Sequence, residues 1–154
     1  MKIKDTVIVI TGAGGVLCST FAKDLASEGA KVALLDINEH SVNTVAGEIK
    51  AVGGNANAYQ ANVLDKEDLL RVYEKIKNDY GKCRILINGA GGNSPKCTTA
   101  HEVCEHGDET TDDISTFFNM DKSGFSFVFD LNVLGTLLPT QIFTSDMLDE
   151  NLCR

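Results

Sequence analysis

Residues Thr6 to Thr11 (Thr-Val-Ile-Val-Ile-Thr) form an unbroken β-branched run that leads straight into the glycine cluster Gly12, Gly14 and Gly15. A strand with one wet face alternates apolar and polar residues. This run does not alternate, so it suits a strand buried on both faces. Strands of that kind belong to parallel sheets covered by helices on both sides. The rest of the chain repeats the pattern. Leu17, Phe21 and Leu25, four apart, predict a first helix that stops at Gly29. Lys31 to Asp36 reads as a second strand. Val42, Val45, Ile49 and Val52 mark a second helix ended by Gly53-Gly54. Asn57 to Val63 reads as a weaker third strand. Asp65 can cap a third helix with Leu69, Val72, Ile76 and Tyr80 on one stripe and Gly81 at its end; Arg84 to Asn88 is the fourth strand. The expected fold class is therefore α/β, a Rossmann-type doubly wound parallel sheet of strand order 3-2-1-4.

The periodicity fails from Gly91 to about Lys122. Residues 92–122 are read as one long loop on the substrate side, since a loop of that length in a compact domain is usually functional or disordered. Ser123 to Leu148 then reads as a single long helix with an interior proline, Pro139, that should kink it. Residues 149–154 stand where the next turn belongs. On this reading residues 1–154 are one incomplete dinucleotide-binding domain, truncated after the long helix that follows strand four.

Charge and cysteine usage exclude several classes. The net charge of -8 argues against a protein held to nucleic acid by phosphate contacts. It does not argue against one bound nucleotide, because a helix N-terminus can hold a pyrophosphate without lysine. No signal peptide is evident, and no continuous apolar stretch approaches the ~18 residues that span a bilayer, so no membrane partner is expected. Five irregularly spaced cysteines do not form a disulfide framework, which points to the reducing cytoplasm.

The glycine turn carries chemistry because of where it lies. Between a strand and a helix, one glycine permits the tight turn, a second lets a pyrophosphate approach the backbone, and a small third residue lets the helix pack on the strand. Here the spacing is G-x-x-G-x-x-small, with Gly12, Gly15 and Cys18. The candidate phosphate contacts are Gly12, Gly14, Gly15, Val16 and Leu17. Asp36 ends the second strand about 20 residues further on, where an acid hydrogen-bonds the adenosine ribose and repels a 2′-phosphate. Ile37 follows it, not an arginine that could receive that phosphate. The expected cofactor is therefore NAD(H) over NADP(H). The alternative for Asp36 is an ordinary helix N-cap.

With Thr11 to Cys18, Asn88-Gly89-Ala90-Gly91 and Asn132-Val133-Leu134-Gly135 in hand, the chain resembles the short-chain dehydrogenase/reductase family along essentially its whole length. The second segment is similar to the family's N-N-A-G motif with Gly89 for the second asparagine. The third is similar to its N-x-x-G segment. The resemblance implies that Asn88, Gly89, Ala90 and Gly91 line the cofactor site, and that Asn62 and Val63 meet the adenine, with asparagine where the family usually has aspartate. Two departures stand in the turn, Val16 and Cys18, where the family commonly has glycines; Cys18 is expected to be a small packing residue. The stretches Leu86 to Lys96 and Phe127 to Gln141 resemble a sugar-acid branch of D-mannonate oxidoreductase (fructuronate reductase) and gluconate 5-dehydrogenase-like members. That implies hydride transfer between NADH and a keto-sugar acid, a small-molecule partner, and a homo-oligomer.

Of the family's Asn, Ser, Tyr and Lys set, only the asparagine is matched, as Asn132. Tyr73-Glu-Lys-Ile-Lys77 is literally Tyr-x-x-x-Lys, but it falls on the third helix, away from the strand ends where ligands bind. His101, Cys104 and His106, with Cys97 upstream, match no zinc spacing, so no metal is expected. The acids around them read as a solvated face. Without a fifth strand the chain is expected to be marginal alone and to self-associate. The alternative to an oxidoreductase is a catalytically inactive dinucleotide-binding fragment or interaction module.

Overall fold

The computed structural model describes residues 3–148. The elements run β1 (Val7–Thr11), α1 (Val16–Ser27), β2 (Lys31–Asp36), α2 (Glu39–Ala51), β3 (Asn55–Gln60), α3 (Lys66–Tyr80) and β4 (Ile85–Asn88). After the long loop come α4 (Lys122–Phe129), a π-turn (Asp130–Leu134), α5 (Gly135–Phe143) and a 3-10 turn (Thr144–Met147). The four strands are parallel in the order β3-β2-β1-β4, as the alternation predicts. β1 is buried along its whole length, in keeping with its unbroken apolar run.

One layer of the core lies between the sheet and α1 and α2, and joins Ile8, Ile10, Val32 and Leu34 to Ala22, Val42 and Ile49. The other lies under α3 and α5, and joins Val9, Ala33 and Leu35 to Leu69, Val72, Ile76 and Phe143. The stripe expected on α1 is not the one it buries. Leu17 and Phe21 are exposed, and Cys18, Ala22 and Ala26 face the sheet. Small side chains let this helix sit close against β1, which is why its larger residues turn outward. Val52 also lies outside α2 and is exposed, leaving Val42, Val45, Ala46 and Ile49 as the buried face. β3 starts and ends earlier than Asn57 to Val63, because its pairing with β2 stops at Asp36–Gln60.

Lys122 to Met147 is one winding but not one α-helix. The break falls at the π-turn, upstream of Pro139, which sits buried inside α5. By length and a mean hydropathy of 1.2 this segment could cross a membrane. A count of continuous apolar residues misses it because glycine, serine and threonine interrupt the run. In the fold its C-terminal part buries Pro139, Ile142 and Phe143, while Phe125, Phe127, Phe129, Val133, Leu134 and Leu137 are exposed. The expected turn at 149–154 lies outside the described residues. Residues 92–122 are not structureless. Beyond a 3-10 turn at Pro95–Cys97, Thr116 Oγ1 donates to the Asp108 carbonyl (3.1 Å), and Asn119 Nδ2 donates to the carbonyls of Thr111 and Ile114 (3.0 and 2.8 Å).

The far end of the winding is held by a buried carboxylate. Asp146 accepts from Tyr73 Oη (2.8 Å) and from the Cys83 backbone N–H (3.0 Å). Tyr73 meets Phe143 edge-on, and Lys77 Nζ lies 5.3 Å from the Tyr73 ring centre. Tyr73 and Lys77 thus serve as a clasp at the amino end of β4, which the Tyr-x-x-x-Lys spacing alone does not reveal. Asp146→Ala leaves a hydroxyl and an N–H without partners. It should cost about 2–3 kcal/mol in denaturant unfolding, against about 1 kcal/mol for Tyr73→Phe. Equal, negligible costs would remove the clasp.

Burial, and then the Asp146 carboxylate, push the Cys83 thiol from its ordinary 9.0 up to about 12. Above pH 9.0 the unfolded chain therefore loses a proton that the native chain keeps. Stability should fall as pH rises from 9.0 toward 12. Tyr80, pushed up to about 12 by burial and then by Asp79, adds to the same slope. Unfolding free energies measured across that range should fall less steeply in Cys83→Ala.

Candidate dinucleotide-binding cleft

A cleft of about 260 Å³ opens at the carboxyl ends of the strands. Gly12 and Gly15 from the first turn, Asp36 and Ile37 after β2, Asn62 and Val63 after β3, and Gly89, Ala90 and Gly91 after β4 all line it. Ala61 and Leu131 complete the lining and were not foreseen. Leu131 adjoins Asn132 on the π-turn, and only the fold brings it here.

The first turn is shaped by what it cannot hold. Gly12 has φ +66°, and a Cβ there would meet the Gly89 carbonyl oxygen at 2.6 Å. Gly15 caps α1 without any side chain, and the first N–H to bond back is that of Ser19, to Gly15 O (2.9 Å). No side chain caps the helix start, which therefore offers N–H groups and the positive end of the helix dipole to an anion. Val16 and Leu17 do not line the cleft with their side chains, which are 90% and 67% exposed. Val16, at a family glycine position, therefore points into solvent.

Cys18, the other departure, is matched by a second one. Its thiol is buried, and a Cβ on Gly89 would sit 2.1 Å from Cys18 Sγ. Cysteine stands on one side of this contact where the family motif has glycine, and glycine stands on the other where the motif has asparagine. Burial, and then the Asp36 carboxylate, raise the Cys18 pKa, which keeps it a neutral packing group. Thr11, wholly buried, begins the turn motif, but the sequence gives its hydroxyl no role. Its Oγ1 accepts from the backbone N–H of Gly89 (3.1 Å) and Ala90 (3.2 Å), fixing the second turn over the first.

Asp36 Oδ2 accepts from Gly14 N–H and Oδ1 from Asn38 N–H, both at 2.9 Å. Gly14 thus reaches the cleft only through Asp36. The N-cap of α2 is Asn38, whose side chain accepts from Ser41 N–H, so Asp36 is not the helix cap. Each Asp36 oxygen keeps capacity for one more donor. Asn62 Oδ1 accepts from Leu64 N–H (3.0 Å) in a local turn, and Asn62 N–H donates to Asp68 (2.8 Å). Its acceptor is therefore shared with the backbone.

Asn132 does not line the cleft. Its Nδ2 donates to the carbonyls of Gly92 and Val128, both at 2.8 Å, and its Oδ1 accepts from Gly92 N–H (3.3 Å). A Cβ on Gly91 would meet that Oδ1 at 2.7 Å. Gly135, three residues on, leaves room for Val63, whose Cγ2 would be 3.0 Å from a Cβ there. The N-x-x-G segment thus braces two walls of the cleft. Asn88 also turns away from it, donating from Nδ2 to Thr140 Oγ1 (2.9 Å). Among the described residues no cluster of three metal-ligating side chains occurs, and the loop residues His101, Cys104 and Asp108 instead line a separate hollow of about 270 Å³.

A sequence model of the short chain dehydrogenase family matches residues 6–152. The chain belongs to the short-chain dehydrogenase family. Within it, an uncharacterized oxidoreductase of Haemophilus influenzae is 53% identical over 147 residues, covering 96% of this chain and 51% of that protein. The oxidoreductase UxuB of Bacillus subtilis is 44% identical over 140 residues, covering 91% and 49%. A crystal structure from Haemophilus influenza, assigned as a D-mannonate oxidoreductase and solved with bound NAD, superposes with a TM-score of 0.88 at 52% identity. It is matched over 94% of this chain and 51% of its own. The chain thus spans about half the length of these short-chain dehydrogenases.

The Cys18–Gly89 contact can be tested by mutation. Gly89→Ala should destabilise by about 1–3 kcal/mol through overpacking. Cys18→Ala in the same chain should restore part of that loss, because the Thr11 carbonyl still stands 2.9 Å from the new methyl. Strictly additive costs in a thermal-unfolding cycle would show that the two positions do not share the space.

Proposed function

We propose that this chain binds NAD(H) for a short-chain dehydrogenase reaction, hydride transfer between the nicotinamide and a sugar acid of the D-mannonate/D-fructuronate class. One observation carries the cofactor reading: a carboxylate, Asp36, stands at the cleft wall beside an uncapped helix start, with Ile37 and no cation after it. The residues present fit the group. The helix start suits the pyrophosphate, Asp36 the ribose diol, and the Ile37 and Val63 side chains an apolar ring. The NAD held by the 52%-identical relative supports the same choice, and that relative's assignment supports the sugar acid.

When bound, the nicotinamide supplies or accepts the hydride. The chain's own residues bind and orient. Gly12 and Gly15 admit the phosphates, Asp36 selects against a 2′-phosphate by charge, and the Gly89–Gly91 turn forms the floor. Asn132 holds that floor in place through Gly92.

A second reading, dinucleotide binding without turnover by this chain, is favoured by the clasp. Among the described residues the Tyr-x-x-x-Lys pair lies at the opposite ends of the strands, with Tyr73 Oη donating to Asp146 and Lys77 Nζ donating to Tyr73 Oη. Fluorescence titration separates the two cofactors. NADH should bind more tightly than NADPH, and Asp36→Ala should weaken NADH about ten-fold and narrow the gap. An unchanged gap would remove Asp36 from the site. NADH oxidation with D-fructuronate tests the substrate class, and NADH binding without oxidation favours the second reading.

A further inference from the structure

The winding from Lys122 to Met147 carries a polar stripe at four-residue spacing: Asn132, Thr136, Thr140 and Thr144. Each threonine hydroxyl donates to the carbonyl one turn back. Thr136 Oγ1 reaches Asn132 O (3.0 Å), Thr140 Oγ1 reaches Thr136 O (2.7 Å), and Thr144 Oγ1 reaches Thr140 O (2.5 Å). Such back-bonds take hydroxyls that would otherwise face water and tend to bend a helix. Thr140 differs from the other two because it also accepts a bond, from Asn88 Nδ2 at 2.9 Å. A hydroxyl has one hydrogen. With that hydrogen committed to Thr136 O, the lone pairs of Thr140 are left for the Asn88 amide.

Asn88 is the last residue of β4, and the next three residues are the floor of the cleft. The floor is held at three places: Thr11 Oγ1 takes the N–H of Gly89 and Ala90, Asn132 takes Gly92, and Thr140 takes the side chain that leads into it. The first hold comes from within the sheet. The other two come from one winding, Asn132 on its π-turn and Thr140 on α5, eight residues apart on the stripe the back-bonds define. Ile85, Leu86 and Ile87 of β4 are half-buried and Asn88 is exposed, so packing alone fixes the end of the strand poorly.

We infer that Thr140 is a positioning residue for the dinucleotide cleft: its hydroxyl, aimed by its bond to Thr136 O, holds Asn88 and thereby sets the height of the Gly89–Gly91 turn. This rests on the reading of that cleft as the dinucleotide site. It assigns to Asn88 a tie to the helix in place of a ligand contact. It also separates Thr140 from Thr136, whose hydroxyl serves the helix alone.

The test uses the whole chain with Thr140→Val, which keeps the shape and loses the hydroxyl, Thr140→Ser, which keeps the hydroxyl, and Asn88→Ala. Amide hydrogen exchange is read without dinucleotide, and NADH affinity is read separately. Thr140→Val should speed exchange at Gly89, Ala90 and Gly92 and weaken NADH about five-fold, the scale of one neutral hydrogen bond. Amides of β2 and β3 should keep their rates. Thr140→Ser should stay within about two-fold of the wild type in both readouts. Asn88→Ala should match Thr140→Val, and the double variant should be no worse than either. Wild-type exchange in Thr140→Val, equal losses in Thr140→Ser, or a uniform rise across all amides would overturn the inference. Failure of the wild type to bind NADH would overturn the dinucleotide reading alone, since the exchange comparison still decides the role of Thr140.

Discussion

Two turns, one after β1 and one after β4, meet backbone to backbone at the carboxyl edge of the sheet, and the cleft exists only because they do. The closeness is measured by what it forbids: a methyl on Gly12 would overlap the Gly89 carbonyl, and a methyl on Gly89 would overlap the Cys18 thiol and crowd the Thr11 carbonyl. Parallel strands pair through their backbones, so β1 and β4 lie close together along their shared length. Past their ends, nothing in the ladder holds the chains at that spacing. Thr11 extends the contact by one step, offering a buried side-chain oxygen to two N–H groups of the opposite turn. A buried hydroxyl in this place replaces a ladder bond that the diverging strands can no longer make.

The winding from Lys122 to Met147 works as a bracket on the same edge. At its C-terminal end Asp146 fastens it to α3 and to the entry of β4; in its middle Asn132 and Gly135 sit against the Gly91–Gly92 backbone and Val63. A regular α-helix advances every side chain by a fixed rotation. The π-turn at Asp130–Leu134 inserts extra winding just before Gly135. The π-turn carries Asn132, which bonds the Gly92 backbone, and it leads into α5, which buries Ile142 and Phe143. π-turns recur at functional sites. Pro139, the obvious irregularity in the sequence, is accommodated inside α5 and buried.

Much of this edge is legible in the sequence. The order of the strands follows from alternation and handedness, and nine of the residues expected at the cofactor site do line the cleft. What failed to show has physical causes. The buried face of α1 is made of Cys18, Ala22 and Ala26, and hydrophobicity alone ranks Leu17 and Phe21 above them. Close approach selects for small size, and a periodicity count does not see size. Thr11 reads as the last β-branched residue of a strand, and only the turn above it gives its hydroxyl a task. The motifs assign Asn88 and Asn132 to the site, but their amides bond to groups far along the chain, Asn88 to Thr140 on α5 and Asn132 to the backbone of Gly92. The π-turn at Asp130–Leu134 carries no proline or glycine within it to announce it in the sequence.

The departures from the family pattern are best understood as a pair. Val16 needs no compensation, since its side chain leaves the turn for solvent. Cys18 does, because the helix that carries it cannot retreat without losing Ala22 and Ala26 from the core. The added sulfur must go somewhere along the line from α1 to β4, and the space it takes is the side-chain volume absent at Gly89. Removing a side chain there would ordinarily loosen a turn, since glycine gives up the most conformational freedom on folding. Here the thiol fills the gap from beneath, while Thr11 and the helix bracket fix the backbone on either side. A cleft floor without side chains can therefore be as firmly seated as one that has them, provided the groups that hold it are supplied by its neighbours.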